Sequence, residues 1–270
     1  MSECIVITSG KGGVGKTTTS ANLGVALALA GHTVVVVDAD IGLRNLDVVL
    51  GLENRIVYDI VNVVEGTCRL KQALIRDKRV KGLYLLPAAQ TRDKNSVTPD
   101  DMIKLVGSLK ETHDYVIIDC PAGIEQGFRN SIAGADRAIV VTTPEVSAIR
   151  DADRIIGLVE AHELPEPELI LNRYRPGMVS RGDMLAREDI LEILAIDLIG
   201  IVPEHEDIII SSNRGMPIAF DDDSPVGQAY RRIAARVTGA EIEIPSFKEK
   251  GSFWGNFKRW MGLAPVREVV

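Results

Sequence analysis

Two lysines bracket a run of glycines in Ser9-Gly-Lys-Gly-Gly-Val-Gly-Lys-Thr-Thr18, and that pattern suits a polyphosphate. Concentrated negative charge needs several backbone N–H groups brought close, and glycines permit the approach at positive φ. Gly10, Gly15, Lys16 and Thr17 satisfy the G-x-x-x-x-G-K-[ST] spacing, so Gly10, Lys11, Gly12, Gly13, Val14, Gly15, Lys16, Thr17 and Thr18 form the candidate loop. Lys16 is placed to reach the terminal phosphates and Thr17 to offer its hydroxyl to Mg²⁺. A helix opening near Lys16 points the positive end of its dipole at the anion. Two acidic stretches complete the chemistry. Val116-Ile-Ile-Asp119 reads as a buried strand ending in a carboxylate that holds Mg²⁺ through water, although a strand-terminal Asp is also a common turn residue. Asp38-Ala-Asp40 offers two more carboxylates, one of which could simply cap the following turn.

These groups need a scaffold that gathers them. Aliphatic runs recur at 4–8, 34–37, 83–86, 116–118, 138–141, 169–171 and 198–202, separated by stretches of helical periodicity. The spacing predicts helices over 16–30, stopped by Gly31, and over 100–112, 148–162, 184–194 and 225–239. Alternating β and α segments predict an α/β fold, an open, mostly parallel sheet with helices on both faces. In such a sheet ligands gather at the carboxyl ends of the strands, where Ser9, Asp38, Asp119 and Pro203 emerge.

Composition narrows the class. With 270 residues, 46% hydrophobic and only 4% aromatic, the chain supports one large domain with an aliphatic core, expected over 1–244, followed by a tail over 245–270. Cys4, Cys68 and Cys120 show no C-x-x-C spacing, and the four histidines make no H-E-x-x-H pair, so neither a disulfide framework nor a zinc or iron–sulfur site is expected. A strand beginning at Cys4 leaves no room for a signal peptide, and no apolar run approaches the ~20 residues of a membrane span. A cytosolic protein is expected. The formal net charge of −7 argues against a DNA-coating surface.

Lys11 narrows the family. An ordinary phosphate loop needs no cation there, and the form Lys-Gly-Gly-x-Gly-Lys-[Ser/Thr] resembles the ParA/MinD group of nucleotide-dependent dimerising ATPases, members of the P-loop NTPase fold. The resemblance implies that Lys11 crosses the interface of an ATP-dependent homodimer to touch the partner's nucleotide. It implies catalytic roles for Lys11, Lys16 and Asp40, with Asp40 orienting or deprotonating the attacking water and Asp38 lying near the magnesium shell beside Thr17 and Asp119. Asn172, Arg173, Pro203 and Glu204 fall where the family recognises the base, and the Asn172 amide matches the donor and acceptor edge of adenine. ATP with Mg²⁺ is therefore expected, and the absence of an Asn-Lys-x-Asp signature agrees. Pro121-Ala-Gly123 resembles the second switch.

Further segments, among them Gly42-Leu-Arg-Asn-Leu-Asp47, Leu86-Pro-Ala-Ala-Gln-Thr-Arg-Asp93 and Val179-Ser-Arg-Gly-Asp-Met184, resemble the division-site branch of that family over nearly the whole chain. This implies placement of the cell-division site by recruiting the inhibitor MinC, with discharge by MinE or another topological factor and an indirect effect on FtsZ. Asp151 and Asp153 lie where that branch meets its partners, although two acids also favour a helix N-terminus. A DNA-partitioning or flagellar-placement role of the ParA kind is the alternative.

Both tryptophans lie in the tail segment 252–263. On a helix Phe253, Trp254, Phe257, Trp260 and Met261 share one face, with Lys258 and Arg259 beside it, which suits an anionic membrane interface. Residues 245–270 carry a net charge of +3 against −10 for the remainder. A helix docked on the core is the other reading, disfavoured by Gly251, Gly255 and Gly262. One tail should bind lipid marginally, whereas two on one dimer raise avidity by about 10²–10⁴-fold. The expected location is thus peripheral, on the inner face of the membrane when ATP is bound. The extension after residue 263 has no assigned role.

Overall fold

The computed structural model describes residues 2–245. Its aliphatic runs form eight strands: β1 (Glu3–Thr8), β2 (Val34–Asp38), β3 (Ile75–Arg76), β4 (Leu83–Leu86), β5 (Tyr115–Asp119), β6 (Arg137–Thr142), β7 (Glu168–Tyr174) and β8 (Leu198–Pro203). They make one sheet in the order β3-β4-β2-β5-β1-β6-β7-β8. All neighbours run parallel except β3, which pairs antiparallel with β4. The sequence predicts no strand at β3, because two residues carry no periodicity.

The helices are α1 (Lys16–Leu29), α2 (Leu46–Leu50), α3 (Ile60–Val64), α4 (Leu70–Ala73), α5 (Pro99–Lys110), α6 (Gln126–Ile132), α7 (Val146–Glu160), α8 (Pro176–Arg181), α9 (Arg187–Leu194), α10 (Asp207–Asn213) and α11 (Pro225–Val237). Alternation along each strand feeds two cores. Cys4 and Val6 pack with side chains of α5, α6, α7 and α9, whereas Ile5 and Ile7 pack with α1 and α11. Burial on both faces is why the central strands read as unbroken apolar runs.

Local signals set most helix ends. Gly31, at φ +98°, follows α1, and Thr98 and Asp101 form a capping box at the start of α5 with Pro99 in the first turn. Two predicted helices are corrected. The stretch 184–194 contains only α9, because Gly182 ends α8 in a left-handed conformation and Met184 lies in the link. Helix α7 opens at Val146 rather than Ala148, so Asp151 and Asp153 sit beyond its first turn and cannot serve as N-terminal acids. The short helices α2, α3, α4, α6, α8 and α10 span too few turns to show a period.

Phe253, Trp254, Phe257, Lys258, Arg259, Trp260 and Met261 lie outside the described residues. Among the described residues no helix is long and apolar enough to cross a membrane.

Candidate functional site

β1 delivers the chain into the loop, and α1 receives it at Lys16. Ser9 Oγ donates to Lys11 O at 2.8 Å and holds the entry turn. Gly13 and Gly15 adopt φ +80° and +99°, values that L side chains rarely reach. Gly12 and Gly13 are exposed, and a Cβ on Gly13 would meet nothing within 4 Å, so this arc of backbone has open space beside it. The other two loop glycines serve packing. A Cβ on Gly10 would lie 2.1 Å from the Asp151 carbonyl oxygen, and one on Gly15 would lie 2.2 Å from Asn172 Nδ2. The loop is thus wedged between α7 and the end of β7. An open glycine arc, a buried Lys16 and the N-terminus of a 14-residue helix fit a polyphosphate.

The acids lie directly alongside. Asp38 and Asp119 are register partners at the ends of the adjacent strands β2 and β5. Both are nearly fully buried. Asp119 Oδ1 accepts from Ser20 Oγ at 2.9 Å, and the Thr17 hydroxyl also bonds its carboxylate. Asp38 Oδ1 accepts from Asp40 N at 2.9 Å and Oδ2 from Leu46 N at 3.2 Å, so one carboxylate does cap the turn and also spans the loop that carries Asp40. Burial raises the proton affinity of both groups above the ordinary carboxylate range. For Asp38 the Asp119 charge adds to the effect, while for Asp119 the bonds from Thr17 and Ser20 and the Lys16 charge oppose it. Two buried carboxylates beside a hydroxyl form a hard oxygen set that fits Mg²⁺.

That electrostatic cost yields a measurable sign. A carboxyl whose folded pKa is raised favours the fold fully only below its unfolded pKa of about 4, and the advantage disappears as pH climbs to neutrality. Asn at position 119 can still accept from Ser20 and can donate to the Thr17 hydroxyl. In nucleotide-free protein without Mg²⁺, Asp119→Asn should therefore be more stable than the parent at pH 7.5, by about 1–3 kcal/mol. The difference should close toward pH 4. Chemical denaturation across that range checks it, and Mg²⁺ with ATP should stabilise the parent more than the variant.

The base-recognition candidates are brought close to the loop but are already engaged. Asn172 is buried, its Nδ2 donating to Val14 O at 2.7 Å and its Oδ1 accepting from Arg173 N at 2.9 Å. Arg173 is exposed at φ +56°. Pro203 ends β8 opposite Tyr174. Glu204 is ion-paired with Arg175, whose guanidinium holds its carboxyl below the usual range. Arg173 and Glu204 border a cleft of about 380 Å³ that also takes in Glu145, Val146 and Met184. In this geometry the Asn172 amide braces the loop, with both its ends committed to backbone groups.

Lys11 stands exposed at the rim, its Nζ 3.5 Å from Ser147 Oγ on α7. On the same helix Asp151 is half-buried with its backbone against Gly10, and Asp153 is exposed. Sequence spacing did not reveal the Ser20–Asp119 bond, the Val14–Asn172 brace or the Arg175–Glu204 pair. Of these only the last had a signal, opposite charges just after two consecutive predicted strands.

This geometry has counterparts. A family model described as the CobQ/CobB/MinD/ParA nucleotide binding domain matches residues 5–218. The septum site-determining protein MinD of Bacillus subtilis (strain 168) is 57% identical over 252 residues, which cover 93% of this chain and 94% of that protein. A chain of the MinC:MinD cell division protein complex of Aquifex aeolicus superposes with a TM-score of 0.85 at 48% identity, covering 91% of this chain and 99% of that one. The septum site-determining protein MinD of Pyrococcus horikoshii OT3, complexed with Mg-ADP, gives a TM-score of 0.81 at 31% identity over 90% of this chain and all of its own. Relatedness at this level, along nearly the full length of both partners, places the chain in the MinD family of septum site-determining proteins.

Proposed function

We propose that this chain is an ATP-driven switch that places the cell-division site: it dimerises around ATP, holds to the membrane through its tail and releases after slow hydrolysis. The carrying observation is the convergence of an open glycine loop, buried Lys16 and the Asp38–Asp119 pair with Asp40 on the adjoining loop. Mg²⁺ held near Thr17 and Asp119 would neutralise charge on the phosphates. Lys16 and the loop amides bind the β- and γ-phosphates. Asp40 orients the attacking water, a role in which placement counts for more than base strength, because phosphoryl transfer depends chiefly on positioning and charge stabilisation. Lys11, exposed at the rim, reaches across to the nucleotide of a second copy.

Helix α7 is the proposed docking face for partners. Its Asp151 backbone touches Gly10 and its Ser147 touches Lys11, so a protein bound there has direct access to the phosphate loop. A MinC-type inhibitor is the proposed occupant, supported by the similarity to a chain of a MinC:MinD complex. MinE or another topological factor would act there to stimulate hydrolysis, and FtsZ would be reached only through the inhibitor. The net charge of −10 outside the tail gives no support to a DNA-bound mode.

Cosedimentation with anionic liposomes tests the output. The intact chain should pellet in ATP and stay largely soluble in ADP, and a chain ending at Ser246 should lose the ATP-dependent binding, a drop of about 10²-fold or more in apparent affinity. Equal binding in the two nucleotides would contradict the switch.

A further inference from the structure

Arg79 lies on the connection between β3 and β4, far in sequence from every phosphate-binding residue. Its side chain is nevertheless the most heavily engaged on that edge. Nε donates to Asp77 Oδ1 at 3.0 Å and Nη2 to Asp77 Oδ2 at 2.5 Å, with Asp77 itself buried. The same guanidinium donates through Nη2 to Leu50 O, at the end of α2, and through Nη1 to Gly215 O at 2.7 Å, just after α10. Its carbon sits 5.1 Å from the centroid of the Phe220 ring. One planar group thus joins three separate stretches of chain.

The backbones it joins are in close contact. Gly51 and Gly215 adopt φ +63° and +59°, and a Cβ on either would come within 2.5 Å of the other's backbone. Helix α2 is only five residues long, too short to hold its own place, and its opposite end is fixed by the Asp38 carboxylate through Leu46 N. Asp38 binds Asp40 N with its other oxygen. A continuous path therefore runs from the guanidinium through the C-terminal end of α2 to the acids of the site.

We propose that Arg79 is a positioning residue for hydrolysis: by tying the end of α2 to Gly215, it sets the loop that runs from Asp38 through Asp40 to α2. A fork of donors in one plane can serve Asp77, Leu50 and Gly215 together, and the single ammonium of a lysine cannot. The inference rests on the reading of Asp40 as the residue that orients water. It also makes the α2–α10 contact a point from which the first switch can be influenced without touching the nucleotide.

The test uses the full chain with Arg79→Lys, read by hydrogen–deuterium exchange without nucleotide, by ATPase kinetics and by thermal midpoint. Exchange over residues 39–50 should quicken by about tenfold while 3–8 and 115–119 keep their protection. The kcat should fall by about 10- to 100-fold, because a small misplacement of a reacting group is costly, with KM within about threefold. Unchanged exchange at 39–50, or a uniform loosening of the whole chain with kcat falling only as the folded fraction, overturns the proposal. Asp77→Asn keeps the guanidinium but takes away the charged acceptor that orients its Nε and Nη2, so it remains measurable if the first variant fails to fold. Its exchange at 39–50 should quicken by about two- to fivefold, and no change there overturns the proposal equally. Separately, an Asp40→Asn protein that hydrolyses like the parent would sink the reading of Asp40 while leaving the exchange result to judge the clamp.

Discussion

Gly15→Ala should leave a folded protein that has lost nucleotide binding by at least about 30-fold, and two independent costs set that figure. The residue sits at φ +99°, where an L side chain costs roughly 1–2 kcal/mol. Its new methyl would also lie 2.2 Å from Asn172 Nδ2, displacing the amide that bonds Val14 O. Loss of that buried bond adds about 1–3 kcal/mol. Without nucleotide the loop relaxes away from the clash, so the penalty falls on the conformation that receives phosphate. Titration with a fluorescent ATP analogue, beside a thermal melt, checks both halves of the expectation. Affinity within a few-fold of the parent would show that the loop tolerates a side chain at that φ.

Much of this site was legible because its chemistry is local. The phosphate loop is one run of ten residues, and β2 and β5 announce themselves by apolar runs that end in Asp38 and Asp119. Parallel α/β topology then puts both acids at the same edge, which the register of Asp38 on Asp119 matches. What spacing could not supply were contacts between distant stretches. Asn172 donates to a carbonyl 158 residues away, and the approach of Asp151 to Gly10 depends on how α7 packs across the sheet. The opening of α7 at Val146 matters for the same reason. It moves Asp151 and Asp153 beyond the helix terminus, so a favourable interaction with the helix dipole no longer accounts for them. β3 and the short helices escaped because two to seven residues cannot display a period, and Arg79 escaped because nothing in its neighbourhood signals Gly215. The tail was read from its aromatic face and basic flank, outside the described residues.

Lys11→Ala should bind ATP within a few-fold of the parent and yet fail to dimerise. Its amine is exposed at the rim with only a 3.5 Å approach to Ser147, so within one subunit it adds little. Across an interface the same amine would meet phosphate charge in a desolvated setting, where removing one partner of a charge pair costs about 2–5 kcal/mol, a factor of about 30 to several thousand in dimer affinity. Lys16, buried at the start of α1, remains to hold the nucleotide of its own subunit. The switch depends on this division of labour between two lysines five residues apart.

Sedimentation velocity with ADP and with a non-hydrolysable ATP analogue, run on the parent and on Lys11→Ala, tests it most directly. A dimer is expected only for the parent and only with the ATP analogue. A parent that sediments alike with either nucleotide, or a Lys11→Ala protein that dimerises like the parent, would contradict it.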